Sequence, residues 1–181
     1  MDDFHQQYYF PYEKLRDVQK ELMSKVDKVI SKRGRLIVHA PTGLGKTVAT
    51  LCPALKHAIE NDLTVFFLTS RHTQHLIAIE TLKEMKEKFG LNIVTTDIIG
   101  KKWMCPVPGT DRLYSRDFSE YCRSVRESNS CKFILNTKKG KKLTPKAHAI
   151  IEKIGDLSPC DSERLIELCT DDMLCPYEIT T

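Results

Sequence analysis

Residues 35–50 read RLIVHAPTGLGKTVAT, and this stretch decides the fold class. A short apolar run, 35–40, enters a turn that contains Gly43 and Gly45, and a helical pattern follows it. A strand, a glycine-rich turn and a helix in this order form the context in which APTGLGKT (40–47) binds phosphate. The glycines allow backbone N–H groups to point at the anion, and the helix N-terminus adds a favourable field.

The last two residues of the loop have side chains that can bind a nucleotide and its metal ion. Lys46 would reach the β- and γ-phosphates of a nucleotide, and Thr47 would place its hydroxyl on Mg²⁺. The common pattern opens with Gly, whereas this chain has Ala40, which is small enough to fit. An ordinary tight strand–helix connection is the alternative. We predict an ATP site with Mg²⁺ formed by Ala40, Pro41, Thr42, Gly43, Leu44, Gly45, Lys46 and Thr47.

Outward from the loop, apolar runs alternate with helical patterns. This alternation predicts parallel strands in an α/β fold, with strands at 35–40, 63–70 and 91–96 and helices at 12–31, 46–60 and 73–89. After Gly100 the pattern is lost until Thr144, which is a typical N-cap for a helix that would end at Gly155; Ser162 could cap another. We expect 1–99 to be the first part of an α/β domain and 100–181 a helical, cysteine-bearing insertion.

Composition places the chain among cytoplasmic proteins. Hydrophobic residues make up 41% of the 181 residues, which is enough for a core, and we see no signal peptide or membrane-length apolar run. Seven cysteines, an odd number in a reducing compartment, favour metal ligation or burial over a disulfide framework.

Charge is distributed unevenly along the second half of the chain. Residues 101–154 carry 13 Lys/Arg and 5 Asp/Glu, whereas 155–181 carry one Arg and seven acidic residues. A solvated face is one interpretation of the basic block. Aromatic residues inside it favour a polyanion-binding groove, because bases stack on aromatic rings while cations contact phosphates. These aromatic residues are Trp103, Tyr114, Phe118, Tyr121 and Phe133.

The cysteines divide into two groups. Cys52, Cys160 and Cys169 have contexts that fit core or turn positions. The other four, which lack an apolar stripe around them, are Cys105, Cys122, Cys131 and Cys175. Structural zinc sites usually take ligands from close Cys-x₂₋₄-Cys pairs, which are absent here, whereas the corners of an iron–sulfur cubane can take thiolates from separate segments. Spacing favours a cluster but leaves zinc open.

The phosphate loop resembles motif I of superfamily 2 helicases. FPYEKLRDVQ (10–19) is similar to the adenine-side segment of these helicases, and the resemblance implies that Gln19 contacts the base, with Arg16 and Tyr12 close by. TSRHTQ (69–74) is similar to motif Ia, which touches single-stranded DNA. The DNA-binding residues that this resemblance implies are Thr69, Arg71, His72 and Gln74.

The segments GKKWMCPVPG, SCKF and LCPYE resemble the iron–sulfur insertion of the XPD-like DNA helicases. Bacterial DinG helicases group their later cysteines more closely, so XPD is the better match. The resemblance implies a RecA-like P-loop parallel sheet, part of motor domain 1, with an α-helical insertion that holds a [4Fe–4S] cluster. Its ligands would be Cys105, Cys122, Cys131 and Cys175, with Cys169 as the rival for the last position.

The function that this resemblance implies is an ATP-dependent 5′–3′ DNA helicase. It would act as a monomer on single-stranded or forked DNA in repair, at the nucleoid or, in a eukaryote, in the nucleus. No Asp-Glu-x-His motif follows the cysteines, so we expect an amino-terminal part of a longer protein that alone hydrolyses little ATP. The alternative is a non-catalytic nucleic-acid-binding module with a relic phosphate loop and a zinc or iron–sulfur site.

Overall fold

The structure, a computed structural model, describes residues 3–41 and 43–181. Its residues form two compact units, Met1–Asn92 and Ile93–Thr181. One predicted site residue, Thr42, lies outside the described residues. Among the helices of the described ranges, none has the length and apolar character needed to cross a membrane.

The first unit is helical. α2 packs against α3 and α3 against α4, and these contacts bury Met23, Leu51, Cys52 and Met85 between them. The helices of this unit are α1 (Asp3–Gln7), α2 (Asp17–Ser31), α3 (Lys46–Asn61) and α4 (His72–Phe89).

Three helices of this unit, α2, α3 and α4, were predicted from the sequence, and the predicted boundaries of α3 and α4 agree closely with the structure. α3 begins at Lys46, directly after the glycine-rich turn, and α4 ends at Gly90, whose φ of 63° is the left-handed conformation of a C-cap. α2 begins at Asp17, five residues later than predicted, because Arg16 has the extended backbone of an N-cap. Val18 is exposed in this helix, whereas Gln19 is buried.

The prediction of three buried parallel strands is wrong for this structure. Residues 35–40, 63–70 and 91–96 form no ladder within the described part of the chain, which has only a two-stranded antiparallel sheet. Ile37, Phe66 and Leu68 are 98%, 82% and 87% exposed. An apolar run becomes a parallel strand only where a neighbouring strand pairs with its backbone and helices cover both faces. Neither condition is met in the described residues. The apolar composition of the runs could not show this, because both conditions depend on other parts of the chain.

The second unit contains shorter helices and one hairpin. Its helices are α5 (Ser115–Glu127), α6 (Lys132–Thr137), α7 (Pro145–Leu157), α8 (Ser162–Asp171) and α9 (Pro176–Thr180). The strands β1 (Lys138–Lys139) and β2 (Lys142–Leu143) pair across a turn at Gly140, which has a φ of 65°. The apolar core consists of Met104, Ile150, Ile154, Cys160, Leu165, Leu168, Cys169 and Leu174.

Side-chain caps define two of these helices. The Thr144 hydroxyl accepts a hydrogen bond from the Ala147 N–H at 3.2 Å, which confirms the predicted start of α7. The helix continues to Leu157, past the predicted stop at Gly155. α8 is capped by Asp161, which accepts from the Arg164 N–H at 2.9 Å, so the predicted cap at Ser162 was wrong by one residue.

Residues 93–97 belong to the second unit. The Ser158 hydroxyl accepts from the Thr95 N–H at 2.5 Å, and Thr96 forms an isolated parallel bridge with Cys160. Asp97 is buried and accepts a hydrogen bond from the Ser162 N–H at 3.3 Å. The segment around the predicted third strand is therefore held by backbone and side-chain contacts to the loop before α8 and to the first residue of α8.

Candidate functional site

The phosphate loop has the backbone conformation that its glycines predict. Gly43 and Gly45 have φ values of 79° and 81°, in the left-handed region that favours glycine. Gly45 is also the N-cap of α3, so the free N–H groups of the first helical turn face the loop. The turn and the helix N-terminus together form a site for an anion.

The amine of Lys46 lies across this loop. Its Nζ donates hydrogen bonds to the carbonyl oxygens of Pro41 at 2.7 Å and Ala40 at 3.2 Å, and the side chain is exposed. Thr47 follows in the first turn of α3 and is half-buried. Both residues with a predicted catalytic role are thus at the helix start, with the lysine amine bound to carbonyls that a phosphate could replace.

Two residues from the start of α2 contact the phosphate loop. Arg16 donates from Nη1 to the Gly43 carbonyl at 2.8 Å. Gln19 is buried, and its Oε1 accepts a hydrogen bond from the Arg16 backbone N–H at 3.0 Å. Its amide nitrogen lies so close to Gly45 that a Cβ there would be 2.3 Å away. Gln19 is therefore not a solvent-facing helix residue: the structure places it against the loop.

The predicted motif Ia residues gather at the start of α4. The Thr69 hydroxyl donates to the Arg71 carbonyl at 3.1 Å, and the Gln74 N–H donates to the same carbonyl at 3.0 Å. Arg71, His72 and Gln74 are exposed. The turn thus presents a guanidinium, an imidazole and an amide to solvent, which are groups that contact nucleic-acid phosphates.

The four predicted cluster cysteines are neighbours in the second unit, and all are free thiols. Burial raises the pKa of Cys105, and the Cys122 and Cys131 thiols raise it further. Burial also raises the pKa of Cys175 to about 11, with contributions from Glu178, Cys105 and Cys131, against a hydrogen bond from the Glu178 backbone N–H. Within the described residues, no three His, Cys, Asp or Glu side chains are grouped so as to hold a metal ion.

The remaining cysteines lie in apolar surroundings. Burial raises the pKa of Cys52, in α3, to about 12. Burial likewise raises the pKa of Cys169 to about 12, and Cys175 and Cys160 add to the effect. Cys160 and Cys169 belong to the apolar core of the second unit. Their surroundings match the core positions expected for them, although Cys169 lies near Cys175.

A basic groove runs along α5. Its volume is about 590 Å³, and Phe118 and Cys122 contribute to its wall. Nearby, the Lys102 amine lies 4.5 Å from the centre of the Trp103 ring, a cation–π contact. The cationic residues that line the groove are Lys101, Lys102, Arg123 and Arg126. The basic and aromatic residues of this region led to the prediction of a polyanion-binding groove. Only the helical spacing of Arg123 and Arg126 could have shown that these two arginines share a face of α5.

Comparison with known proteins identifies the family. Residues 16–117, more than half of the chain, match the DEAD/DEAH box helicase family. The chain belongs to the DEAD/DEAH box helicase family. In addition, 108 residues are 37% identical to the probable ATP-dependent helicase of Methanocaldococcus jannaschii. That alignment covers 58% of this chain and 16% of the relative, so the chain spans about a sixth of the length of that protein.

Membership of the helicase family accounts for the loop geometry. The family implies a RecA-like fold, whereas the residues that the structure describes form only a two-stranded sheet; the family match begins at Arg16, which contacts the phosphate loop. Of the four predicted cluster cysteines, Cys105 lies inside the matched range. Cys122, Cys131 and Cys175 lie beyond it, so the family match covers one of the four proposed iron–sulfur ligands and not the other three.

Proposed function

We propose that this chain carries the nucleotide-binding and iron–sulfur parts of an ATP-dependent DNA helicase of the XPD-like type. The observation that carries the proposal is the contact of Arg16 and Gln19 with a phosphate loop whose Gly43 and Gly45 are left-handed. A loop that only connected a strand to a helix would not need a buried amide and a guanidinium from α2 against it.

In the proposed nucleotide site, each contact on the loop has a role when ATP binds. Lys46 exchanges its hydrogen bonds with the Ala40 and Pro41 carbonyls for bonds to the β- and γ-phosphates, which are stronger because they are charge-assisted. Thr47 supplies a hydroxyl to Mg²⁺, as in other phosphate-loop enzymes. Gln19 pairs with the adenine base. The loop residues Ala40 to Thr47, including Thr42, surround the phosphates.

We propose that the cysteine-bearing region, 100–181, is an insertion into a RecA-like domain whose first part is 1–99. The thiols of Cys105, Cys122, Cys131 and Cys175 fit an iron–sulfur cluster in their chemistry, because such clusters are held by cysteine thiolates. Their spacing in the sequence favours a cluster over zinc, because no two of them form a close Cys-x₂₋₄-Cys pair. These four thiolates would hold the cluster, which would supply a structural link between their segments.

The proposed nucleic-acid contacts lie on both units. Thr69, Arg71, His72 and Gln74 would contact the phosphates of single-stranded DNA at the start of α4. The groove along α5 adds lysine and arginine side chains with Phe118, a combination that suits a single strand. ATP hydrolysis by the helicase would then drive 5′–3′ translocation and unwinding of forked DNA, with a role in DNA repair.

Nucleotide binding tests the loop assignment directly. In the variant Lys46→Ala we expect the affinity for Mg²⁺·ATP to fall about 10- to 100-fold, because a hydrogen bond to a charged group contributes about 1.5–3 kcal/mol. Titration of a fluorescent ATP analogue measures this. The matched control is Lys25→Ala, since Lys25 is an exposed lysine that pairs with Glu21 on α2. Equal affinity in the two variants would contradict the proposed phosphate site.

Metal analysis tests the cluster. In protein purified without oxygen we expect about four irons and matching acid-labile sulfide per chain. One zinc per chain without sulfide would show that the cysteines hold a zinc ion and not a cluster. That result would not change the assignment of the nucleotide site. Absence of iron and zinc, together with unchanged affinity for ATP in Lys46→Ala, would favour the alternative, a non-catalytic nucleic-acid-binding module.

A further inference from the structure

Glu178 is a buried carboxylate that the proposed reaction does not use. It is 7% exposed and lies in α9. Its Oε1 accepts a hydrogen bond from Arg126 at 2.5 Å, and its Oε2 accepts one from Lys138 at 2.9 Å. Burial alone would raise the pKa of Glu178, but the hydrogen bond from Lys138 and the charge of Arg126 outweigh it and lower the pKa. The group is therefore a carboxylate with two cationic partners.

The three members of this ion-pair cluster each belong to a segment that carries a cysteine. Arg126 lies on α5, one helical turn after Cys122. Lys138 directly follows α6, whose N-cap is Cys131. Glu178 lies on α9, whose N-cap is Cys175. A single carboxylate thus joins three segments that are distant in sequence, and each of the three supplies one of the proposed ligands.

A second contact fixes the same segments at the backbone. The Cys175 N–H donates to the Thr137 hydroxyl at 2.7 Å, and this hydroxyl donates to the Phe133 carbonyl at 2.7 Å. Thr137 is fully buried at the end of α6. This bond places the backbone of Cys175 against α6, next to the ion pair between Lys138 and Glu178.

We propose that Glu178 is a positioning residue that holds three of the four cysteine-bearing segments together, an inference that rests on the proposed iron–sulfur site. A site assembled from separate segments needs some other interaction to keep its ligands close before the metal arrives. Removing the carboxylate takes away the shared partner of Arg126 and Lys138, whose side chains are 40% and 25% exposed, so the segments lose the ion pairs that join them and move apart. Glu178 contacts the ligands' segments and is not itself a ligand.

Thiol reactivity in the metal-free chain tests the proposal independently of any cluster. We expect Glu178→Gln to increase the alkylation rate of Cys175 by iodoacetamide at least about tenfold, because the α9 segment separates from α6. The matched control is Glu120→Gln, which removes an exposed carboxylate paired with Arg116 on α5. Peptide mass spectrometry measures the alkylation of each thiol separately. Cys169, in the apolar core, is the internal reference.

Iron release supplies the second measurement. After the full chain is reconstituted with iron and sulfide, we expect Glu178→Gln to lose iron to a chelator about 10- to 100-fold faster than Glu120→Gln, the usual range for residues that support metal ligands. Glu178→Asp retains the charge and should recover part of the protection of Cys175, which separates a charge effect from a folding defect.

Each outcome decides the proposal. Equal alkylation of Cys175 in Glu178→Gln and Glu120→Gln overturns it. Equal acceleration at Cys175 and Cys169 also overturns it, because Glu178 would then stabilise the whole unit without positioning the ligand segments. If the wild-type chain binds no iron or sulfide, the cluster assignment fails, while the alkylation comparison still shows whether Glu178 positions Cys175.

Discussion

At the scale of single residues, Gly45 is subject to two independent constraints. Its φ of 81° is strained for any residue with a side chain, and a Cβ would meet the Gln19 amide nitrogen at 2.3 Å. Gly43 has a similar φ of 79° but nothing within 4 Å of the position where a Cβ would be. The two glycines therefore separate backbone strain from the contact with Gln19.

A comparison of Gly45→Ala with Gly43→Ala isolates that contact. We expect Gly45→Ala to lower the free energy of unfolding by about 1 kcal/mol more than Gly43→Ala, because Gln19 must move and lose its hydrogen bond with the Arg16 N–H. Urea denaturation measures the difference. In a Gln19→Ala background the difference between the two glycine variants should disappear. If it remains, Gln19 does not contact the loop.

At the scale of elements, helix caps and other short-range signals predicted the observed structure better than apolar patterns did. α7 starts where Thr144 and Pro145 predicted, because both signals act within one helical turn. α5 was missed, because only Phe118 and Cys122 among its residues are buried while its other residues are largely charged or polar. The three apolar runs were predicted as strands, which depend on partners elsewhere in the chain, and this prediction was wrong.

The cap of α7 gives a prediction at this scale. Thr144→Ala removes the acceptor for the Ala147 N–H and the donor to the Asn136 carbonyl, so we expect a loss of about 1 kcal/mol in the free energy of unfolding. Thr144→Ser retains the hydroxyl and serves as the control, with a much smaller loss. Circular dichroism during urea unfolding measures both. A loss of equal size in the two variants would show that the methyl group, and not the cap, is responsible.

At the scale of the whole molecule, charge segregates along the chain. The basic block of residues 101–154 includes the groove along α5, and the acidic residues of 155–181 include Glu178, which pairs with Arg126 and Lys138 from that block. A buried acid that binds basic side chains reduces the number of cations left for a polyanion. The net charge of a region is therefore a poor measure of how many cations contact DNA.

Salt dependence of DNA binding tests the groove. We expect Arg123→Gln to weaken binding of single-stranded DNA and to reduce the slope of log K against log salt by about 0.7, the value for one phosphate contact. Arg116→Gln is the control, since Arg116 lies on the same helix outside the groove lining and pairs with Glu120. Fluorescence anisotropy at several salt concentrations gives both slopes. Equal slopes for the two variants would exclude Arg123 from the phosphate contacts.

The sequence by itself determined the features that depend on neighbouring residues. The phosphate loop with Gly43, Gly45 and Lys46, the start of α3 and the N-cap at Thr144 all follow from local backbone and side-chain chemistry. The division of the cysteines into core thiols and a separate group stays a prediction, because Cys122 and Cys175 are buried like Cys52, Cys160 and Cys169.

Only the tertiary structure decided which distant residues meet. It placed Gln19 and Arg16 on the phosphate loop, left the apolar runs such as 63–70 unpaired, and joined three cysteine-bearing segments through Glu178. A composition count cannot find a contact such as Arg126 with Glu178, because ion pairs and strand ladders depend on the distance between groups far apart in the chain. Local chemistry sets where elements begin, and long-range packing sets what their side chains contact.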